Sequence, residues 1–421
     1  MTPLPFSLAG APWLAAPATR QVLAVLEAGG GAARIVGGAV RNALIGEPVE
    51  DIDIATPLAP GAVMELARAA GLRAVPTGLD HGTVTLVAAH QPFEVTTLRR
   101  DVATDGRHAE IAFTEDWAED ARRRDFTMNA LYVDARGTIF DPVGGYEDCL
   151  ARRVRFIGDP AARIAEDYLR ILRFFRFHAR YGAGAPDAAG LAACIAARAG
   201  LGRLSAERIA AETVKLVTAG GAGAVVATMA GAGLWQPVLG GIAYPARFSR
   251  LLTLWPAGER PATRRLPAAL GLAALAVRVR EDAERLSARL RLSRALRQAM
   301  VDSVGAREAI GSGFAGLDAP AVRRLVCRFG GAAAEAGLAL AAADAAGAAG
   351  ADALAALRRA AAWQVPPFPV SGRDLAALGI PPGPAMGVQL AALKAVWIAS
   401  DFTLGRAALL QRVPAGNQPP A

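Results

Sequence analysis

The chain has 421 residues, is 53% hydrophobic and carries a formal net charge of +8. That length exceeds one compact core and sets an expectation of two to four domains, while the apolar, Ala-rich composition excludes long disorder. Three scattered cysteines (Cys149, Cys194, Cys327) and four histidines exclude a disulfide framework or a zinc site and make a reducing cytoplasm the expected compartment.

Charge is divided unevenly. Residues 1–150 hold 12 Lys+Arg against 20 Asp+Glu, a net of −8, and residues 151–421 hold 34 against 18, a net of +16. An acidic head on a basic remainder fits an enzyme that gathers cations at one end and a polyanion at the other. It equally fits ordinary sign drift between solvated surfaces. Only Lys215 and Lys394 are lysine, so the arginine bias is compositional and no arginine is functional by type alone. Residues 1–17 are broken by four prolines and lack a basic start, which argues against a signal peptide. No uninterrupted apolar run reaches membrane-spanning length.

In chain order, the pattern predicts a helix at 18–29, a strand at 35–36, a helix through 44 and a strand at 52–55. A helix at 60–70 and strands at 73–75, 83–88 and 93–98 follow. Residues 101–114, with Asp105-Gly106-Arg107-His108, read as a mobile loop. A helix at 115–123, a hairpin at 131–140 and a hinge at 141–145 close this part. Beyond 150 the periodicity is helical: 163–179, 206–218, 222–233, 265–292 and 318–328. The Ala/Gly tract at 331–361 also reads as helical, Pro366-Pro367-Phe368-Pro369 marks a break, and 413–421 reads as a frayed tail.

Chemistry concentrates in four places. Asp51 and Asp53 sit two apart on a predicted strand, a spacing that sends both carboxylates to one face. Like charges so placed persist comfortably opposite a cation, and hard oxygen ligands favour Mg²⁺, which points to nucleotidyl transfer by a two-metal route. Just upstream, Gly37-Gly38 between strand and helix lets backbone N–H groups approach a phosphate, with Arg41 one turn on. Either element alone is also an ordinary turn or a surface pair. Glu94, on a strand of the same sheet, is a third metal carboxylate or a solvent-facing residue with equal weight. Arg124 ends a helix where it could meet a triphosphate or ribose, with Asp125 as its orienting partner; an exposed basic helix end is the plain alternative. Finally, Glu166, Asp167, Arg170, Arg173 and Arg176 line one face of a predicted helix. Ion pairing worth roughly 0.2–0.5 kcal/mol per pair explains that spacing. A carboxylate beside a guanidinium also matches the amine and ring nitrogen of cytosine and adenine. Uracil and guanine reverse that pattern and leave buried groups unpaired, at about 1–3 kcal/mol each.

Taken in order, Gly37-Gly38-Ala39-Val40-Arg41, Asp51-Ile52-Asp53, Arg123-Arg124-Asp125-Phe126-Thr127-Met128-Asn129-Ala130 and Glu166-Asp167 with Arg170 and Arg173 resemble the class II tRNA nucleotidyltransferase/poly(A) polymerase family. Ser205-Ala206-Glu207-Arg208-Ile209 with Glu212 looks like its next helical motif, and Ser371-Gly372-Arg373-Asp374-Leu375 with 379–387 looks like the tail motif of its CCA-adding branch. The resemblance implies an α+β fold: a polymerase-β-like mixed-sheet nucleotidyltransferase head (18–150), then an all-α neck with the base-recognition motif (151–218), a body (219–365) and a tRNA-binding tail (366–421). It implies metal binding by Asp51 and Asp53, triphosphate held by Gly37, Gly38 and Arg41, nucleotide contacts from Arg124, Arg173 and Arg176, and base reading by Asp167 and Arg170. The implied activity is template-independent CCA addition from CTP and ATP with Mg²⁺. The implied partner is tRNA, with neither DNA nor membrane involved. A poly(A) or A-only enzyme is the alternative within the family, and a non-catalytic nucleotide- or RNA-binding relative is the alternative outside catalysis. Asn42 departs from the family's usual Asp, which puts in doubt any salt bridge there. Met128 replaces the usual Ile. No His-Asp pair exists, so a phosphohydrolase domain of the HD type is not expected.

Overall fold

A computed structural model describes residues 3–104, 109–254, 267–311, 314, 317–345 and 350–413. The chain divides into two compact units, Met1–Gly241 and Ile242–Ala421.

The first unit opens with a mixed sheet. Its strands are β1 (Pro3–Ser7), β2 (Arg34–Val36), β3 (Asp53–Thr56), β4 (Arg73–Gly78), β5 (Thr83–Ala88), β6 (Gln91–Thr97), β9 (Tyr132–Val133) and β10 (Thr138–Phe140), in the order β1-β10-β9-β2-β3-β6-β5-β4. β3 and β6 run parallel and the other pairs antiparallel. Helices α1 (Pro12–Ala15), α2 (Pro17–Ala28), α3 (Gly38–Leu44) and α4 (Pro60–Ala69) are interleaved. Proline at the first turn of α2 and α4 costs no hydrogen bond and presets φ, which fixes where each begins.

Alternation decides which face is covered. Val84, Leu86, Phe93, Val95 and Ile54 are buried, and α2 and α4 pack on this sheet through Val22, Leu23, Leu26, Val63 and Ala67. Each fully buried large side chain contributes roughly 1.5–3 kcal/mol. The intervening residues of β3 and β6, Asp53 and Glu94, stay exposed. Period-2 burial on β5 and β6 covers one face; on the carboxylate face Val36, Ala55 and Tyr132 are buried with Ala121 of the following helical segment, so that face is open only where Asp53 and Glu94 stand.

Residues 99–113 differ from the expected loop. They form a hairpin, β7 (Arg99–Thr104) with β8 (Ala109–Phe113), while Asp105-Gly106-Arg107-His108 lie outside the described residues. Val102 and Thr104 favour extended backbone, a propensity that the polar flanking residues conceal. Next come α5 (Trp117–Arg122), N-capped by Asp116, and α6 (Gly145–Leu150). The stretch at 141–145 is a tied turn, because Asp141 accepts from the N–H groups of Gly145 (2.8 Å) and Tyr146 (2.9 Å). Gly145 is required there: a Cβ would meet the Thr127 carbonyl oxygen at 2.0 Å.

Helices α7 (Pro160–Glu166), α8 (Leu169–Tyr181), α9 (Ala188–Ala196), α10 (Ala206–Val217), α11 (Ala222–Gly231) and α12 (Trp235–Leu239) complete the unit. The single helix expected at 163–179 is two. Asp167 is extended (φ −155°, ψ 108°), and its Oδ1 accepts from Leu169 N at 3.0 Å to start α8. Ring contacts of 5.1–5.4 Å among Phe126, Phe156, Phe174 and Phe177 fasten α8 to the end of the sheet domain.

The second unit is helical: α13 (Pro245–Thr253), α14 (Ala268–Ala276), α15 (Arg280–Leu290), α16 (Arg294–Ile310), α17 (Ala319–Phe329), α18 (Gly331–Asp344), α19 (Gly350–Ala362), α20 (Gly372–Ala377), α21 (Pro384–Ala399) and α22 (Arg406–Leu410). The helix expected at 265–292 is divided, since Val277 leaves α14 extended and Asp282 caps a fresh start at α15. The Ala/Gly tract folds as α18 and α19. In the tail motif, Ser371 and Asp374 form a capping box and Arg406 pairs with Asp374. The α20–α22 segment closes on Leu375, Leu393, Trp397 and Leu409. Among the described residues no helix is long and apolar enough to cross a membrane.

Candidate active site

The Gly37-Gly38 turn follows from β2 ending in the sheet and α3 starting at once. Gly37 adopts φ +72°, ψ −114°, a conformation that L side chains rarely take, and a Cβ there would sit 3.4 Å from Asn129 O and 3.8 Å from Arg124 Nη1. The turn therefore lies beside Arg124. Across the strand pair, Val36 is in register with Asp53, and Asp53 with Glu94. Parallel register puts Glu94 on the same open face as Asp53, so the third carboxylate is Asp53's neighbour across the strands.

Crowding shows in the protonation of Asp53. Its burial by surrounding protein atoms, with Glu94 and Asp51 nearby, pushes its carboxyl up to about 6 against the pull of Arg124. A bound divalent cation would relieve that repulsion. Among the described residues no three acidic, cysteine or histidine side chains already converge at ligand geometry. Carboxylate oxygens are hard donors, so the residues present fit a hard divalent cation completed by other oxygen ligands.

Arg124 is positioned by a residue absent from the sequence reading. Asp120, 1% exposed, accepts from Arg124 Nη2 at 3.0 Å, Arg123 Nε at 2.8 Å and Tyr132 Oη at 2.8 Å. Burial alone would raise the Asp120 carboxyl, but Arg124 and Arg123 hold it down at about 2. The expectation that Asp125 orients Arg124 is corrected. Asp125 Oδ2 accepts from Arg173 Nε at 2.8 Å, and its Oδ1 takes Phe126 N at 2.8 Å and Asn129 Nδ2 at 3.0 Å. The signal was present: Asp120 and Arg124 are four apart in sequence, the spacing of helical ion pairs, with Arg124 two residues beyond the end of α5.

Arg41 is 5% exposed and braces the turn from within. It donates to Asn129 Oδ1 at 2.5 Å and to Asn42 Oδ1 at 2.9 Å, and lies 3.8 Å over the Tyr181 ring. Asn42 thus supplies by its amide oxygen the acceptor that the family's Asp would supply, and its Nδ2 ties down Pro48 O at 2.7 Å.

At the α7–α8 break, the expected Asp167–Arg170 pairing does not form. Arg170 Nη1 donates to Glu166 and to Arg163 O at 2.6 Å, whereas Asp167 Oδ2 accepts from Arg208 Nη2 at 2.6 Å. The extended backbone at Asp167 turns its carboxylate out of helical register, which is why i,i+3 geometry fails. Arg163 fixes this corner to the site by donating to the carbonyls of Arg123 (2.5 Å) and Arg124 (2.7 Å). Further along, Glu212 of α10, 6% exposed, accepts from Arg176 Nε at 2.5 Å and lies 3.9 Å from Arg173 Nη1. An unbroken polar chain therefore runs from Asn129 through Asp125 and Arg173 to Glu212 and Arg176.

Residues 33–155 match the poly A polymerase head domain. The mitochondrial CCA tRNA nucleotidyltransferase 1 of Danio rerio is 40% identical over 264 residues, 62% of this chain and 60% of the relative. The human protein of that name is 47% identical over 187 residues (44% and 43%), and the CCA-adding enzyme of Lacticaseibacillus paracasei is 37% identical over 203 (47% and 49%). The aligned region thus spans roughly half the length of these curated relatives. Over the whole chain the fold is similar to that of the Bacillus stearothermophilus CCA-adding enzyme solved with CTP, with TM-score 0.75 and 28% identity over 94% of this chain and 96% of that one. The Gly-Gly turn, the strand carboxylates and Arg124 all fall inside the segment that matches the poly A polymerase head domain, and the chain as a whole is similar in sequence and fold to the CCA-adding enzymes.

Proposed function

We propose that this protein adds CCA to the 3′ end of tRNA from CTP and ATP, releasing pyrophosphate. The observation that carries the reading is the register of Asp53 with Glu94 on an open sheet face, with Asp51 close enough to perturb Asp53, beside a Gly-Gly turn flanked by Arg124. Asp51 and Asp53, with Glu94 alongside, would hold Mg²⁺, which when bound activates a hydroxyl and neutralises phosphate charge. The backbone N–H groups at the start of α3 and the Arg124 guanidinium, fixed by Asp120 and Tyr132, would receive the triphosphate. Positioning supplies most of the rate in such transfers.

Base choice is assigned to the α7–α8 corner. With Arg170 Nη1 tethered to Glu166 and Arg163 O, its remaining N–H groups would donate to the ring nitrogen of cytosine or adenine. Asp167 would take the exocyclic amine, exchanging or sharing its contact with Arg208. Arg173 and Arg176 would flank the nucleotide. We infer from the basic remainder of the chain that tRNA is bound through its backbone and shape. The boundaries 18–150, 151–218, 219–365 and 366–421 are proposed as head, neck, body and tail. The proposed compartment is the cytoplasm.

The test uses tRNA ending at the discriminator base and labelled CTP alone. Incorporation of CMP, lost by several orders of magnitude in Asp51→Ala with tRNA binding kept, supports the reading. Absence of CMP incorporation by the unaltered protein defeats it. Arg170→Ala is expected to relax exclusion of UTP and GTP as it slows the reaction.

A further inference from the structure

The second unit contains a concentration of positive charge that belongs to no site described above. Four arginines from three places in the sequence meet at the C-terminal end of α18: Arg247 and Arg250 from α13, Arg278 from the α14–α15 junction, and Arg307 from α16. One carboxylate, Asp344, is the acid paired with Arg247, Arg278 and Arg307 among the described residues. Arg307 Nε donates to Asp344 Oδ2 at 2.8 Å, and Arg278 Nη1 donates to Oδ1. Arg250 Nε donates to Ala343 O at 2.6 Å. Arg247 is 2% exposed, and its Nη1 donates to Ala273 O at 3.0 Å and Val277 O at 2.5 Å. Its Nε lies 2.8 Å from Asp344 Oδ1 but off-line, so this buried N–H lacks an aligned acceptor.

Asp344 and the carbonyls of Ala273, Val277 and Ala343 are the acceptors for four cations, of which Arg247 alone is buried and Arg250 and Arg278 reach solvent. Burial, reinforced by Arg278 and Arg307, brings Arg247 down to about 10, which reports the same crowding. Three of the four guanidinium groups still have N–H donors without an acceptor among the described residues: the Nη atoms of Arg250, Nε and Nη2 of Arg278, and both Nη atoms of Arg307. Arg278 and Arg307 have side chains 41% and 26% exposed, so these donors are open to solvent. The surplus of planar, fork-shaped donors suits a tetrahedral oxyanion with several acceptor oxygens.

We propose that Arg250, Arg278 and Arg307, gathered at the end of α18 by Asp344 and the Ala343 carbonyl, form a phosphate-binding site separate from the one in the head domain. The phosphate would come either from a free anion, inorganic phosphate or pyrophosphate, or from an RNA backbone. Both share the oxyanion that the arginines recognise.

The test is thermal unfolding of the full chain in phosphate against chloride at equal ionic strength, for the unaltered protein, the exposed-site variant Arg250→Gln/Arg278→Gln, and Asp344→Asn. Phosphate at tenfold its dissociation constant is expected to raise the midpoint of the helical unit by about 3–6 °C. The double variant should lose that rise, and any part contributed by the head should persist in it. Asp344→Asn should start lower and gain more from phosphate than the unaltered protein, because it removes the competing anion. An ordinary structural clasp predicts a lower midpoint that phosphate does not rescue. An equal rise in the unaltered protein and the double variant, or none in either, overturns the proposal. If the double variant does not fold, the Asp344→Asn rescue decides the question alone. Filter binding of tRNA by unaltered and double-variant protein then separates the sources. A tenfold or larger loss in the variant assigns the site to RNA backbone, and unchanged binding assigns it to the free anion.

Discussion

Replacing Asp120 by Asn removes a charge from beneath Arg124 and leaves the geometry nearly intact. Asp120 is held at about 2 against an ordinary 3.8, a difference of almost two pKa units. At 1.36 kcal/mol per unit, the ionised form gains roughly 2.5 kcal/mol from its surroundings. The residue is 1% exposed, so solvent screens little of this. Breaking a buried ion pair from one side costs about 3–5 kcal/mol when nothing replaces it. Asn keeps an acceptor oxygen, so the expected loss is about 2–3 kcal/mol. The sign with pH follows from the depressed value: the stabilisation is present above about pH 4 and disappears as pH falls through about 2. Urea unfolding of Asp120→Asn should show the full deficit at pH 7, and the gap should close between pH 4 and 2. In the CMP-incorporation assay, a loosened Arg124 should lower kcat/KM by about 10–100-fold. A variant with unchanged stability at pH 7 and a rate within twofold would refute the positioning role of Asp120.

Three further outcomes follow from the same geometry. Asp53→Asn should abolish transfer yet stabilise the metal-free protein at neutral pH, because it removes a charge disfavoured first by burial and then by the neighbouring Glu94 and Asp51. Its solvent access limits the gain to about 1 kcal/mol or less, and the gain should vanish below pH 4, where the aspartate is protonated; denaturation in EDTA reads this. Glu212→Gln should unpin Arg176 and Arg173 and cost about 2–4 kcal/mol in urea unfolding, with UTP exclusion weakened and tRNA affinity kept. Gly37→Ala should cost about 1–3 kcal/mol through its positive φ and raise KM for CTP, while Gly46→Ala, another positive-φ glycine with open space around it, should leave KM unchanged.

Much of the head was legible because its signals are local. Alternation on β5 and β6 and the Gly-Gly turn each fix their own geometry within a few residues, whereas the strand expected to carry both aspartates begins at Asp53 and leaves Asp51 just before it. What escaped was set by partners distant in sequence. Asp125 carries no mark that it faces Arg173, 48 residues on, rather than the adjacent Arg124. The break at Asp167 was hidden because helical spacing fits Glu166–Arg170 on either side of an extended residue. The β7–β8 hairpin was missed for the opposite reason: charges along it suggested a loop, and strand pairing supplied what the pattern did not. Glu212 belongs to a motif visible in the sequence, yet its role as the acid between two arginines of α8 needed α10 folded alongside.

The most direct test of the account is the sequence of the product made on tRNA lacking its last three nucleotides, with CTP, ATP and Mg²⁺ supplied. The account predicts extension by three nucleotides reading C, C, A and then arrest. A long adenosine tract, addition of a single A, or no extension would contradict it.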